Sequence, residues 1–216
     1  MGFTEQERKI YAKILSDGTL RIPTKPEDPR AEKRTVELTD GSKKDYYELV
    51  KRGISGVIEK IDFKEMDFGK MINITFVKED GMDQVCLSMN TASNFATDLM
   101  EKLPNADLSK EMELSPWSMT TENGKTRKGV VVYQDGNKIS SFFKEFTEGK
   151  KPKSINGFPE VSAADAKKYD TDDWKMYFTT IKKFLVKYTE DNTIGKVVPV
   201  EAKPEPTEEE LSPFEG

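Results

Sequence analysis

Three aromatic residues in the middle of the chain alternate with lysines and arginines. The rings are Phe68, Trp117 and Tyr133. Unpaired nucleic-acid bases stack on such rings, while cationic side chains neutralise the phosphates between them. The cations in the same region are Lys60, Lys64, Lys70, Lys125, Arg127 and Lys128. These residue types can hold a single strand without reading its base sequence if the fold brings them to one surface.

A second basic cluster follows in a turn-rich stretch, residues 150–159. It consists of Lys150, Lys151 and Lys153. The sequence does not fix its position relative to the rings, so these lysines are further candidate contacts for phosphates.

An enzyme would have to work without histidine, because none occurs in the 216 residues. This excludes Ser-His-Asp and Cys-His catalysis and the usual histidine-containing zinc sites. A nuclease-like set, Asp135 upstream of Glu148 and Lys150, could bind Mg²⁺, but such a spacing arises easily by chance among 39 acidic and 34 basic residues. No phosphate-binding P-loop motif is present either. We therefore expect no enzymatic activity, no metal and no cofactor.

The hydrophobic pattern predicts the elements that would position these residues. Strands are expected at residues 54–63, 71–77 and 84–90, because apolar and polar residues alternate there. A helix stripe follows over residues 92–103, with Thr91 as its N-cap and Pro104 just beyond its end. Strands return at residues 110–117, 130–133 and 139–143, the last two joined by a turn at Asp135-Gly136. The single cysteine, Cys86, is expected to be a buried core thiol.

Three strands, a helix and two further strands match the order of the OB-fold, a five-stranded Greek-key barrel. We predict a mainly β (α+β) protein with this barrel as its core at residues 54–146. In the barrel, the first loop would present Phe68 and Lys70, and the loop between strands 4 and 5 would present Lys125, Arg127 and Lys128, bordered by Trp117 and Tyr133. Lys60 and Lys64 would lie on strand 1. A small α+β sheet unrelated to the OB-fold is the alternative.

Additions are expected at both ends of the core. In residues 1–53, a hairpin around Ser16-Asp17-Gly18 precedes an extended arm at residues 23–34 that holds three prolines, although a helix over residues 6–14 competes with the hairpin. In residues 147–200, the basic loop precedes an amphipathic helix that begins at Thr171. Its apolar stripe comprises Trp174, Tyr177, Phe178, Ile181, Phe184, Leu185 and Tyr188.

The last 16 residues, 201–216, contain six glutamates, one lysine and three prolines, and so account for the whole net charge of −5. A segment of this composition cannot bury enough apolar surface to offset the entropy of ordering it, so we expect a disordered acidic tail. Its apolar tip consists of Leu211, Pro213 and Phe214, and it follows Glu208, Glu209 and Glu210.

The predicted barrel and this tail together resemble the single-stranded DNA-binding proteins of bacteria and their phages. In that family a Pro-Phe pair at the end of an acidic tail recruits replication and repair proteins. The resemblance implies the same role for Glu208, Glu209, Glu210, Leu211, Pro213 and Phe214. The chain departs from the bacterial pattern because Glu215 and Gly216 follow the phenylalanine. The arm and the C-terminal aromatic helix make the resemblance closer to the phage members.

We therefore expect sequence-independent binding of single-stranded DNA in replication or recombination, with RNA as a possible ligand and replication or recombination proteins as partners of the tail. A protein-interaction or virion module built on a β-barrel is the alternative. No apolar run approaches the ~18 residues of a membrane span, so no membrane partner and a cytoplasmic location are expected, in the host cell if a phage encodes the chain. The oligomeric state is left open.

Overall fold

The computed structural model describes residues 9–77 and 84–197. It is mainly β, as predicted, with 43% strand and 21% helix. The strands are β1 Lys9–Ile14, β2 Leu20–Pro23, β3 Glu32–Glu37, β4 Lys43–Lys51, β5 Ile54–Met66, β6 Gly69–Val77, β7 Gln84–Asn90, β8 Glu111–Thr120, β9 Thr126–Gln134, β10 Asn137–Lys138, β11 Lys144–Glu145 and β12 Lys153–Ser154. The helices are α1 Asn94–Met100, α2 Ala163–Ala166 and α3 Thr171–Asn192, with short 3-10 helices at Leu103–Asn105 and Ile194–Lys196.

Within the described residues, ten strands form one mixed sheet in the order β10-β9-β8-β5-β6-β7-β1-β2-β4-β3. Neighbouring strands are antiparallel except β1 and β7, which are parallel. The sheet is not closed into a barrel, which differs from the closed five-stranded core that we predicted. Closure of the five-stranded core would require β7 to pair with β9. Instead, β1 pairs with the free edge of β7, and α1 covers the free edge of β9.

Side chains of α1 satisfy the backbone at the edge of β9. Asp98 accepts a hydrogen bond from the amide of Val130 at 2.7 Å, and the ammonium of Lys102 donates to the carbonyl oxygen of the same residue. The two side chains also form an ion pair with each other. These bonds replace those that another strand would make to Val130, so no further strand pairs there.

The helix α1 is shorter than predicted. Its N-cap is Ser93, whose hydroxyl accepts from the amide of Ala96, whereas the predicted cap Thr91 donates its hydroxyl to the carbonyl of Lys70. The helix was predicted to reach Leu103, but α1 ends at Met100, and Leu103 begins the 3-10 turn that contains Pro104.

One face of the sheet packs on the core, and we call the opposite face the outer face; near its centre Thr75 and Cys86 are buried as well. Ile58, Ile72, Ile74 and Leu87 point into the core from β5, β6 and β7. On the outer face, four residues pair in one row across β5, β6, β7 and β1: Lys60, Thr75, Cys86 and Tyr11. Cys86 is buried as predicted, and burial raises the pKa of its thiol.

The N-terminal residues add more strands than the sequence indicated. The hairpin around Gly18 is present, and residues 9–14 are a strand rather than part of the competing helix. The three prolines of the predicted arm lie between residues 23 and 29. The chain then forms the hairpin β3–β4, which the sequence pattern did not reveal. The turn at Gly18 lies on β8, where a Cβ on this glycine would stand 2.8 Å from the carbonyl carbon of Trp117.

C-terminal to β9, the chain turns inward. The turn at Asp135 and Gly136 has positive φ at both residues and pairs β9 with only the two-residue β10, so the strand predicted at residues 139–143 is wrong. Phe143 leaves the sheet and packs in the core against the ring of Tyr188, 4.9 Å between centroids. Burying this ring stabilises the fold more than extending the hairpin would.

Helix α3 begins at Thr171, as predicted, after a capping box formed by Asp170 and Asp173. Ile181 and Leu185 anchor its C-terminal half in the core. Among the described residues, no helix is long and apolar enough to cross a membrane.

Candidate nucleic-acid interface

Tyr11 is the most exposed ring near the centre of the outer face. Its side chain is 58% exposed, although it stands in the row that contains the buried Thr75 and Cys86. Lys9 precedes it by two residues in β1 and therefore points to the same face. Lys60 lies at the opposite end of the row, three strands away. A ring with cations on both sides has the composition of a base-stacking site.

A cleft beside Tyr11 extends this site. Its volume is about 830 Å³, and it lies between β1 and residues 23–30. Lys9, Lys25, Pro23 and Pro29 line it together with Tyr11. Glu27 and Asp28 also line the cleft, so its walls combine flat apolar surface with charged groups of both signs.

The loop that forms one wall of this cleft is held by its own polar contacts. Arg30 donates two hydrogen bonds to the carboxylate of Asp28, at 3.0 and 2.9 Å, and Thr24 donates to the same carboxylate. Hydrogen bonds from Arg30 hold the pKa of Asp28 well below its usual range. The guanidinium is thus already paired, which leaves Lys9 and Lys25 as the cleft's free cations among the described residues.

The two predicted lysines of β5 lie on the outer face. Lys60 and Lys64 are both exposed. Lys60 forms an ion pair with Asp62 at 3.2 Å, and Asn73 donates to the same carboxylate at 2.9 Å. Burial raises the pKa of Asp62, but these hydrogen bonds outweigh it and leave the pKa lowered. An exposed ion pair of this kind is weak, so the ammonium of Lys60 can exchange its partner for a phosphate.

The turn between β5 and β6 presents Phe68 as predicted, but not Lys70. Phe68 is 66% exposed and stands before Gly69, whose φ of 115° permits the tight turn. Lys70 lies on the opposite side of the sheet, where its ammonium binds Glu190 of α3 and lies 5.1 Å from the ring centroid of Phe63. The predicted six-residue loop is in fact a two-residue turn, and this places Lys70 within β6.

The end of the hairpin β8–β9 presents three cations. Lys125 and Arg127 are exposed, Lys128 is half-buried, and within the described chain none of the three forms an ion pair. Arg127 pairs across the hairpin with the exposed Met119. Trp117 is half-buried beside them, because its ring lies against Gly129, where a Cβ would stand 3.0 Å from the indole.

Tyr133 does not border this loop, contrary to prediction. It lies at the far end of β9, opposite Glu113. The cavity around it measures about 520 Å³ and is lined by Glu111, Glu113 and Asp135. These carboxylates repel phosphate, so a ring that is 37% exposed stands in the wrong electrostatic surroundings for nucleic acid.

The second basic cluster lies apart from the large sheet. Lys150, Lys151 and Lys153 are all exposed, and Lys153 belongs to the small sheet β11–β12, where it stands opposite Glu145. The nuclease-like set is not assembled around a metal site: Asp135 binds Lys110 at 3.2 Å, and the described residues contain no group of three potential metal ligands.

The two candidate ends of the interface lie at opposite ends of the strands. Strands β5 and β8 are antiparallel, so the turn at Phe68 and the hairpin end at Arg127 point in opposite directions. The strand path between them covers about 18 residues, up to about 60 Å if the sheet were flat. The row from Lys60 to Tyr11 crosses β5 between these two ends. The path between the two ends also passes Glu111 and Glu113, which pair with Val57 and Ser55 of β5.

Two cations of the N-terminal strands are not free for a ligand. Glu48, whose side chain is only 2% exposed, binds Lys13 at 3.0 Å and Arg34 at 2.9 Å. The hydrogen bond from Arg34 is the main cause that lowers the pKa of Glu48 to about 2. Both cations also lie over the ring of Tyr46. This cluster holds β1, β3 and β4 together rather than presenting charge to a ligand.

The sequence patterns did not indicate Lys9, Tyr11 and Lys25 as contacts for nucleic acid. A signal existed, because alternation in residues 10–15 places Tyr11 opposite the apolar Ala12. The pairing of β1 with β7, which places Tyr11 on the same face as Lys60, could not be inferred from that pattern. The predicted tail residues Glu208, Glu209, Glu210, Leu211, Pro213 and Phe214 lie outside the described residues. The chain matches no family model, no curated protein and no solved structure.

Proposed function

We propose that this protein binds single-stranded DNA, without regard to base sequence, across the outer face of its sheet. The observation that carries the proposal is the exposed ring of Tyr11, with Lys9 beside it and Lys60 in the same row. Phe68 at one end and Arg127 at the other extend the surface in both directions. Stacking on a ring is worth about 1–3 kcal/mol per base and accepts every base, so it requires no reading of the base sequence.

We further propose that residues 54–146 are an OB-type core opened by its neighbours. The order β5-β6-β7-α1-β8-β9 agrees with this, as does the long strand β5, which pairs with β8 at its start and with β6 over the rest. Gly56, with a φ of 154°, and a bulge between Ile58 and Lys60 allow that strand to bend. In this interpretation β1 extends the edge of β7.

The acidic tail is proposed to recruit replication or recombination proteins through Leu211, Pro213 and Phe214, as the resemblance implies. The protein would act as a binding module in the cytoplasm and not as an enzyme. Lys150, Lys151 and Lys153 are proposed as outlying contacts for a longer strand.

A titration tests the central proposal. Fluorescence anisotropy of a labelled dT oligonucleotide should rise on addition of the protein, and raised salt should weaken the binding. A duplex of the same length should compete poorly, because its bases are already stacked, while an equal affinity for duplex and single strand would contradict the proposal. An oligo-U competitor in the same assay measures the preference for DNA over RNA.

A protein-interaction or virion module that does not bind nucleic acid is the second candidate. Exposed rings on the N-terminal half of α3 favour it, since Phe178 is 53% exposed and stacks on Trp174. Absence of binding to any oligonucleotide at low salt, in a correctly folded preparation, would support this candidate instead.

A further inference from the structure

A group of rings lies at the N-terminal end of α3 and in the residues just before it. We call Tyr169, Trp174, Tyr177 and Phe178 the ring patch. Trp174 contacts each of the other three, with ring centroids between 5.3 and 5.9 Å apart. Phe178 is 53% exposed, and the neighbouring Met176 is 71% exposed.

The ring patch continues the apolar stripe of the helix. Trp174 and Phe178 stand seven residues before Ile181 and Leu185, respectively, which are buried in the core. Seven residues are about two helical turns, so all four share one side of α3. The stripe thus continues about two turns beyond these buried residues. Tyr177 still packs against the core, but Phe178 is exposed, and an exposed apolar surface of this kind is expected to have an occupant.

We propose that the apolar tip of the chain's own C-terminal segment, residues 211–214, docks on the ring patch. The tip offers Leu211, Pro213 and Phe214. Aromatic and proline side chains pack well on exposed rings. The glutamates before the tip lie along the lysines of α3.

The lysines of α3 complement the charge of this occupant, whereas Asp170, Asp172 and Asp173 stand at the start of the helix beside Trp174. The segment 201–216 contains six glutamates and one lysine. Lys175 and Lys182 flank Phe178, three and four residues away along the helix. Lys182 and Lys183 form no ion pair within the described chain, and Lys175 has only an exposed pair with Asp172, which is weak.

The length of the segment also fits. The described chain ends at Val197, directly after the 3-10 helix that packs against the end of α3. Phe214 follows 17 residues later, and a flexible chain of that length spans about 23 Å on average. From Asn192 back to Phe178 the helix measures about 21 Å. The tip therefore reaches the ring patch without being stretched.

Fluorescence quenching tests the docking without nucleic acid, so its outcome is independent of the proposed function. Trp117→Phe leaves Trp174 as the only tryptophan. In this background we expect deletion of residues 201–216 to raise the acrylamide quenching constant of Trp174 about twofold. If the local concentration of the tip and its dissociation constant from the ring patch are both about 1 mM, the tip covers the patch about half of the time. A synthetic peptide of residues 201–216 should restore the protection, and raised salt should reduce it.

Single substitutions sharpen the test. Phe214→Ala should raise the quenching constant as much as the deletion does, whereas Phe146→Ala should leave it unchanged, because Phe146 is an exposed ring outside the patch. An unchanged quenching constant after tail deletion would overturn the proposal. Protection of Trp174 that disappears on dilution of the full chain would overturn it as well, since a second copy would then be the occupant.

Discussion

Replacing Tyr11 with alanine is the most informative perturbation of the proposed interface. The ring is 58% exposed, so its removal costs the fold little, within about 0.5 kcal/mol. If one base stacks on it, the loss is about 1–3 kcal/mol of binding free energy, which is roughly a 5- to 150-fold rise in the Kd for oligo-dT. Tyr11→Phe keeps the stacking surface and should bind within about twofold of the parent protein.

Tyr133→Ala is the matched control. Tyr133 is also a partly exposed tyrosine of the sheet, but carboxylates of Glu111, Glu113 and Asp135 line its cavity. We expect its removal to leave the Kd unchanged in the same anisotropy titration. An unchanged Kd for oligo-dT in Tyr11→Ala, at the same melting temperature as the parent protein, would refute the role of this face. A larger loss of affinity from Tyr133→Ala than from Tyr11→Ala would refute it as well.

Three further predictions concern charge. Replacing Lys125, Arg127 and Lys128 together by alanine should lower the slope of log K against log salt by about 2, because each phosphate contact on a single strand contributes about 0.7; an unchanged slope places the phosphates elsewhere. Lys70→Ala should leave oligo-dT binding intact, since Glu190 binds this ammonium on the other side of the sheet, and a loss of affinity would contradict that placement. Glu48→Gln should destabilise the fold by about 3 kcal/mol at pH 7. The folded-state pKa of Glu48, about 2, lies below the unfolded value, so this stabilisation is present above about pH 4.5 and fades as the pH falls towards 2. Urea unfolding across that range should therefore show a weaker pH dependence in the variant, and parallel curves would contradict the assignment.

The sequence was most informative where apolar residues recur at the spacing of a strand or of a helix throughout a segment. Alternation in residues 84–90 predicted β7 with its buried Val85, Leu87 and Met89, and the apolar stripe after Thr171 predicted α3. The strands β3 and β4 were not predicted, because they are rich in charged residues and bury few side chains. Their sequences therefore show no alternation of apolar and polar residues. Phe143 was placed in a strand because an apolar run cannot reveal that the ring packs better in the core.

The candidate site was predictable only in part, because its geometry depends on pairings between distant strands. Lys60, Lys64 and Phe68 follow from their own strand and turn. The position of Lys70 depends on where β6 begins, and that of Tyr133 on the length of β9. The place of Tyr11 depends on the parallel pairing of β1 with β7, residues about 75 apart in the chain, which local patterns do not encode.

Photo-crosslinking identifies the side chains that contact the bases of a bound strand. An oligo-dT in which 5-iodouracil replaces single thymines can be irradiated in complex with the full chain, and the modified peptides can be identified by mass spectrometry. We expect crosslinks at Tyr11 and Phe68 on the outer face, and we expect excess unlabelled oligo-dT to abolish them. Crosslinks confined to Tyr133 or to the rings of α3 would show that single strands bind elsewhere and would contradict it.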